Sequence, residues 1–420
     1  MYHVCSACAA GSAVPAMVND MKILITTDLY TVTSNGVVTS VKNLFDELKA
    51  RGHDVRILTL SESGRTYRDK SVYFIQSKPF YVYPNIRKPL SYRNSYIKEL
   101  IEWKPDIIHS QCEFFTMQFA TRISRKTGAP IVHTYHTMYE EYSGYLIPWK
   151  RLGKWAARSF TINRLKPASF VIVPSSKIEI LLKEYELNIP LRIIPTGISL
   201  DQHKQRISPE YRLAKRRELG IRDDQTVMLN LGRLGLEKNI DELIRFYAHL
   251  LKTHPDLVFL IVGDGPAKDR LDALVKDLDL CEHVIFTGPV QYYEVHEYYQ
   301  LGDLFVCAST SETQGLTFIE AAANGLPLLC RKDPCLDLII QQGINGYQYE
   351  SPDEFYSFFE HILSDADWRA RAGKESEKLA ALYDKHSFGE AVEAVYTSVL
   401  ENSQAHIAAP DELPSGKGSG

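Results

Sequence analysis

From residue 21 onward the chain alternates between short, unbroken apolar runs and longer segments whose apolar positions recur every third or fourth residue. Lys22–Thr26, Val55–Leu60, Ile107–His109, Ile131–Thr134 and Phe170–Pro174 are runs of the first kind, and Val38–Arg51 is a segment of the second. A further series follows, with Thr226–Leu231, Val258–Val262, Val284–Phe286, Leu304–Val306 and Pro327–Cys330. Runs too short for a helix and apolar at nearly every position predict strands buried on both faces, as in parallel sheets covered by helices. Strands alternating with helices in two successive series predict an α/β protein of two Rossmann-like units, joined near residues 195–225 across a cleft. Open parallel sheets bind their ligands beyond the carboxyl ends of their strands, so the chemistry is expected in the loops that leave those ends.

Composition narrows the class. At 420 residues there is room for two domains of ordinary size, and 45% hydrophobic with 24% charged residues is typical of a soluble globular protein. A net charge of −4 gives no nucleic-acid signature, so any basic surface must be local. No run reaches the roughly 18 apolar residues of a membrane span. The seven cysteines show no framework spacing, and Cys112, Cys307 and Cys330 lie in or beside apolar runs, which favours a reducing compartment. Cys5 and Cys8 form a C-x-x-C with no second pair at zinc spacing, so no metal site is expected. Residues 1–20 are leader-like but lack a positive start, and read as a leader or non-native extension; residues 406–420 read as a flexible tail.

The loops carry the polar chemistry. The stretch Ser309–Pro327 sets Glu312 in a small polar loop and Glu320 inside an alanine-rich helix, with Gln314, Gly315, Leu316 and Thr317 between them. Such a turn leaves backbone N–H groups unpaired at a helix N-terminus, which binds anions and polar oxygens. A carboxylate beside it can accept from sugar hydroxyls, and one two turns on can reach a second diol such as a ribose. The layout suits a sugar nucleotide, while a plain helix cap with one buried glutamate would use the same residues. After the strand Thr226–Leu231 come Gly232, Arg233 and Lys238: a glycine permitting close backbone approach, then two cations of the kind a diphosphate leaving group requires. A solvated basic loop is the alternative. Gly263 and Gly265 follow the next strand without the third glycine of a dinucleotide fingerprint, and Gly288 follows Val284–Phe286. In the first series Gly36 and Val37 open a helix after Thr33, Ser34 and Asn35, as either an anion site or an ordinary capped loop. His133 and His136 sit at the end of Ile131–Thr134 among Tyr135, Thr137, Tyr139, Glu140 and Tyr142, a cluster able to hydrogen-bond a polyol.

These motifs together resemble the retaining glycosyltransferases of the GT-B fold, family 4. Ser309–Pro327 is similar to their Glu-x7-Glu signature, and Gly232–Asn239 to their diphosphate-binding loop. Asn35–Val37 is similar to the loop that closes over the donor phosphate, and His136 to the histidine set against the donor sugar. The wording Ser-Glu-Thr-Gln-Gly-Leu-Thr and His-Thr-Tyr-His-Thr is closest to the bacterial branch that glucosylates diacylglycerol and monoglucosyldiacylglycerol. The resemblance covers nearly all of residues 21–405. It implies that Arg233 and Lys238 stabilise the departing diphosphate, Glu312 orients the sugar, Glu320 holds the ribose and His136 contacts the sugar near C1. Gly36, Val37, Gly232, Gly263, Gly265, Gly288, Gln314, Gly315, Leu316 and Thr317 would line the donor. The donor would be UDP-glucose or UDP-galactose, used with retention by front-face attack, without cofactor or metal. Residues 21–198 would be the acceptor domain, 199–385 the nucleotide-sugar domain, and 386–405 a helix returning to the first domain. Gly235 departs from the bulkier residue many relatives carry there, and the segment Arg331–Asp337 receives no assignment.

Charge points to the acceptor. Ser71–Lys98 holds no acidic residue but five basic ones among tyrosines, and Tyr142–Ile178 holds none but seven basic ones. Within the latter, Trp149, Leu152, Trp155, Ala156 and Phe160 are expected on one helical face, with Lys150, Arg151, Lys154 and Arg158 opposite. A basic helix with tryptophans suits an anionic membrane surface, although the same helix could bury its aromatic stripe in its own domain. The expectation is a cytoplasmic enzyme bound peripherally to the inner face of the cell membrane, with a lipid acceptor. A transferase acting on a soluble or polyprenyl-linked glycan, or a non-catalytic sugar-nucleotide-binding protein, is the alternative.

Overall fold

The computed structural model of the protein describes residues 20–30, 36–80, 86–138 and 150–408. Its first sheet has nine strands: β1 (Lys22–Thr26), β2 (Asp54–Ser61), β3 (Tyr67–Asp69), β4 (Val72–Pro79), β5 (Arg87–Pro89), β6 (Ile107–Ser110), β7 (Ile131–Thr134), β8 (Phe170–Val173) and β9 (Leu191–Ile193). The order is β3-β4-β2-β1-β6-β7-β8-β9, with β5 paired to β4. Every pairing is parallel except those of β3 and β5 with β4. The second sheet is all parallel, in the order β12-β11-β10-β13-β14-β15. Its strands are β10 (Thr226–Leu231), β11 (Leu257–Val262), β12 (Val284–Phe286), β13 (Leu304–Cys307), β14 (Leu328–Arg331) and β15 (Gly346–Tyr349).

The apolar runs are continuous because each strand feeds two cores. Along β10, Val227 and Leu229 join one core while Met228 joins the other; along β13, Phe305 and Cys307 oppose Leu304 and Val306. The first sheet divides in the same way, with Leu24, Ile108 and Val171 on one face and Ile23, Ile25, Ile107 and Val132 on the other. A strand covered on one side only would have had to alternate polar and apolar residues.

The edge strands escape that reading. β4 and β5 fall within the stretch Ser71–Lys98 read as basic and tyrosine-rich and form an antiparallel margin with β3, and the short strands β3 and β5 at the edge need no apolar run. Arg87 lies in β5 and is tied inward, donating from Nε to Ser61 O at 3.1 Å and to Ser77 Oγ at 2.8 Å.

The chain passes back from the second sheet to the first. Ile198 and Asp384 form an isolated bridge, and the helix Lys385–Ala408 then lays Phe388, Val392, Val395, Tyr396 and Val399 against Val41, Leu44 and Leu48 of the helix Gly36–Ala50. Among the described residues no helix is long and apolar enough to cross a membrane.

Candidate active site

The loop after β13 and the helix Leu316–Ala323 form the centre of the site. Gly315 caps that helix at φ +80°, and a Cβ there would lie 2.3 Å from the Phe318 ring, so a side chain is excluded. Glu312, half-buried in the loop, lies with Oε1 2.5 Å from Lys238 Nζ. Burial alone would raise its carboxyl. The charge and hydrogen bond of Lys238, with help from Ser309 and Lys177, pull it below its ordinary value instead. Lys238 closes the short 3-10 turn Leu236–Lys238, and Asn239 behind it donates to Ala308 O at 3.2 Å, which fixes the turn to the Glu312 loop.

Glu320 lies inside the helix, 7% exposed, and accepts a 2.9 Å hydrogen bond from Tyr299 Oη. Burial pushes its carboxyl up to about 7. The two glutamates, eight residues apart, are therefore driven in opposite directions. Arg233 is exposed and paired with Glu237 rather than with the Lys238–Glu312 pair.

The first sheet supplies the facing groups. His136 lies just past β7, half-buried, with Nε2 2.7 Å from Gln111 Oε1, and its backbone carbonyl accepts from Thr313 Oγ1 at 3.0 Å. Burial and the neighbouring His133 push the imidazole down to about 3, so it is neutral at physiological pH. His133 is enclosed in β7, with Nε2 3.1 Å from Glu113 Oε1. Gln314 spans the lobes: its Oε1 accepts from Thr196 N at 2.7 Å and its Nε2 donates to Thr196 O at 2.8 Å. Its amide thus serves as a lobe-to-lobe clasp, a use the signature itself does not suggest. Ser175 Oγ donates to Thr313 O at 2.5 Å, and Lys177 Nζ donates to Thr310 O at 2.7 Å and pairs with Asp333 Oδ2 at 2.5 Å.

The glycines divide into two groups. Gly36 opens its helix beside the signature: a Cβ there would sit 3.4 Å from Leu316 Cδ1, while Val37 packs on the first-sheet core. Gly232, after β10, lies by Thr317, whose Cγ2 would be 3.8 Å from an added Cβ. Gly263 and Gly265 are instead packing glycines. A Cβ at Gly263 would fall 2.0 Å from Gly232 O, one at Gly265 would fall 2.5 Å from Leu234 O, and Gly263 N donates to Gly288 O at 3.0 Å. The strand-end loops touch backbone to backbone here. Thr33, Ser34 and Asn35 lie outside the described residues, as do Cys5, Cys8, Tyr139, Glu140, Tyr142 and Trp149.

The helix Lys150–Leu165 differs from its expected facing. Its buried row is Gly153, Ala157, Thr161 and Leu165, which leaves Trp155 66% and Leu152 48% exposed, next to exposed Arg151 and Lys154. Aromatic and basic groups thus share the outer surface rather than segregating. Phe160 is half-buried on Phe114, with ring centroids 5.4 Å apart, and Arg158 lies over the Tyr185 ring and 3.9 Å from Glu186.

Gln111, Lys177, Thr196, Tyr299 and Asp333 belong to this neighbourhood and were not singled out beforehand. The strand-end rule reaches four of them, since Gln111, Lys177, Thr196 and Asp333 follow β6, β8, β9 and β14 within a few residues. Asp333 also explains part of Arg331–Asp337: its Oδ1 accepts from Cys335 N at 2.9 Å, while Arg331 pairs with Glu242 and Lys332 with Glu350. Among the described residues no three His, Cys, Asp or Glu side chains converge as metal ligands.

Comparison with known proteins fits this geometry. A model of the Glycosyltransferase Family 4 matches residues 34–202, and one of glycosyl transferases group 1 matches residues 212–379. An alpha-monoglucosyldiacylglycerol synthase of Streptococcus pneumoniae is 31% identical over 94% of this chain and 90% of its own. The synthase of the same name from Acholeplasma laidlawii is 31% identical over 92% of this chain and 99% of its own. Among solved structures, Anabaena HepE in complex with UDP and glucose superimposes with a TM-score of 0.72 at 17% identity, covering 90% of this chain and 100% of that one.

Proposed function

Because the chain belongs to the GT-B glycosyltransferases, with a family 4 domain ahead of a group 1 domain, we propose that it transfers a hexose from a UDP-sugar to a membrane lipid. The proposed donor is UDP-glucose, the acceptor diacylglycerol or glucosyl-diacylglycerol, and the product keeps the α configuration. The observation that carries the reading is the meeting of Lys238, Glu312 and His136 in one cleft, with Thr313 joined to the His136 carbonyl. Two relatives of similar length are named for α-glucosyldiacylglycerol synthesis, which supports the lipid acceptor.

In this reading Lys238 exchanges its carboxylate partner for the diphosphate, and Arg233 adds a second cation from the same loop. Charge develops on that diphosphate as the glycosidic bond breaks, so a preorganised cation acts where the transition state needs it. The amides at the N-terminus of Leu316–Ala323 face the same anion. Glu312, released from Lys238, accepts from hydroxyls of the sugar, and Glu320 with Tyr299 holds the ribose. His136, neutral, accepts a hydrogen bond from a sugar hydroxyl without adding a charge that would repel the developing oxocarbenium. The acceptor hydroxyl attacks from the face the diphosphate leaves and passes its proton to a phosphate oxygen. The protein lies on the cytoplasmic face of an anionic membrane, which Trp155, Leu152, Arg151 and Lys154 reach from their exposed positions.

The test pairs radiolabelled UDP-glucose and UDP-galactose with vesicles holding diacylglycerol or glucosyl-diacylglycerol, and resolves the lipid extract by thin-layer chromatography. Labelled glycolipid from UDP-glucose is the expected outcome, and α-glucosidase should release the label. Release of UDP with no labelled lipid under any pairing would sink the lipid acceptor and leave the transferase.

A further inference from the structure

Behind His136 a line of buried polar side chains runs on from Gln111. Gln111 Oε1 lies 2.7 Å from His136 Nε2, and Gln111 Nε2 lies 3.0 Å from His109 Nε2. His109 Nε2 is also 2.7 Å from Thr134 Oγ1, and its Nδ1 is 2.6 Å from Tyr396 Oη. His109, Gln111, Thr134 and Tyr396 are all buried. The line begins on the helix Lys385–Ala408, which arrives from the far side of the molecule, and ends at the site.

A carboxamide accepts at one end and donates at the other, so it forces opposite protonation on two imidazole nitrogens it joins. With its oxygen toward His136 and its NH2 toward His109, Gln111 requires a proton on His136 Nε2 and a lone pair on His109 Nε2. His109 then carries its proton on Nδ1, where Tyr396 Oη accepts it, and the Thr134 hydroxyl joins Gln111 in donating to Nε2. Reversing the Gln111 amide would exchange the protonated nitrogen on both rings, because carboxamide and imidazole have fixed donor and acceptor ends while the Thr134 and Tyr396 hydroxyls follow by rotation.

We propose that Gln111 is a positioning residue: it holds the His136 ring as the single tautomer protonated at Nε2, which keeps Nδ1 as the ring's hydrogen-bond acceptor. The inference rests on the reading of His136 as a contact to the donor sugar and names what prepares it. The function of the buried line is to present one face of hydrogen-bonding chemistry to the donor. An unconstrained imidazole would divide itself between two tautomers.

The experiment uses the full chain with ¹⁵N-labelled histidine and reads the His136 ring by long-range ¹H–¹⁵N correlation, which needs no substrate. Wild type should show the Nε2–H pattern alone. Gln111→Leu should show mixed tautomers, a melting temperature lowered by the ring nitrogens it leaves unpaired, and unchanged UDP affinity, with turnover down about 10- to 100-fold, as for other groups that orient a reacting side chain. Tyr396→Phe touches neither His136 nor the donor, yet it removes the acceptor for His109 Nδ1–H and should also mix the His136 signals. Gln111→Glu places a carboxylate beside His136 and so favours the imidazolium. Turnover in that variant should be low in acid and recover as pH rises. The other titratable groups near His136 are His133 and His109, with Glu113 one step behind His133 and the Lys238–Glu312 pair on the facing loop beside Thr313; all of them are unchanged in the variant. A Gln111→Leu protein with the wild-type tautomer and wild-type turnover would overturn the proposal, as would Nδ1–H in the wild type. His136→Ala separates the two levels: if it keeps full turnover, the role of His136 fails as well, whereas an inactive His136→Ala beside an active Gln111→Leu defeats only the role of Gln111.

Discussion

Glu312 and Glu320 show how one signature produces two kinds of carboxyl. Lys238 holds Glu312 ionised, and losing that cation leaves a half-buried carboxylate without its partner. Lys238→Ala should therefore raise the Glu312 carboxyl and cut turnover by about 100-fold or more, the usual cost of losing an electrostatic partner of the leaving group. A steady-state kcat near wild type would refute that role. Glu320 behaves in the opposite way, its carboxyl pushed up to about 7 by burial. A folded value above the unfolded one means that the native state binds the proton more tightly. Its stabilising contribution is thus full below the ordinary carboxylate range and is lost as pH rises through about 7. Glu320→Gln keeps an acceptor for Tyr299 and removes the charge. It should match wild type in urea denaturation at pH 5 and exceed it at pH 8, by on the order of 3 kcal/mol. Equal stability at both pH values would show that Glu320 does not titrate there. The sequence spacing made both glutamates visible, but not their opposite environments, because Tyr299 lies 21 positions away from Glu320.

The helix Lys150–Leu165 separates what composition reveals from what packing decides. Its tryptophan and its lysines and arginines were legible in order, yet the buried row is Gly153, Ala157, Thr161 and Leu165. Three small residues and a leucine rather than the aromatics form the inner face, and Trp155 is left outside. Because Trp155 and Lys154 contribute little to the core, Trp155→Ala with Lys154→Glu should leave the circular dichroism spectrum and melting temperature unchanged. Cosedimentation with anionic vesicles should fall at least tenfold, since each basic group near such a surface contributes about 1 kcal/mol and the charge is here reversed. Undiminished binding would refute the proposed membrane contact at this helix. The same division runs through the strands. Those buried on both faces announced themselves as apolar runs, while β3, β4, β5, β9 and β15 lie toward the margins of their sheets and are set by pairing partners distant in sequence.

The two sheets are held together by few but well-made contacts, and these determine whether the site exists. Thr313 meets the His136 carbonyl, Gln314 pairs with the Thr196 backbone, and Lys177 crosses to both Thr310 and Asp333. Each grips the short loop that carries Glu312, so the relative placement of the lobes and the geometry of the candidate site are one variable. The Lys177–Asp333 pair tests this, because its side chains are only 14% and 3% exposed. Removing one member of a buried pair leaves the other desolvated and unmatched, whereas neutralising both restores most of the loss. Lys177→Met should thus destabilise the protein on the order of 3 kcal/mol. Adding Asp333→Asn should recover most of that, since asparagine can still accept from Cys335 N. Turnover should behave differently: both the single and the double variant lose the bond from Lys177 to Thr310 O, so the Glu312 loop is loosened in each and kcat falls in each. Recovery of stability without recovery of kcat is the expected signature of a contact that positions the site across the cleft. A double variant that regains both would reduce Lys177 to an ordinary ion-pair partner.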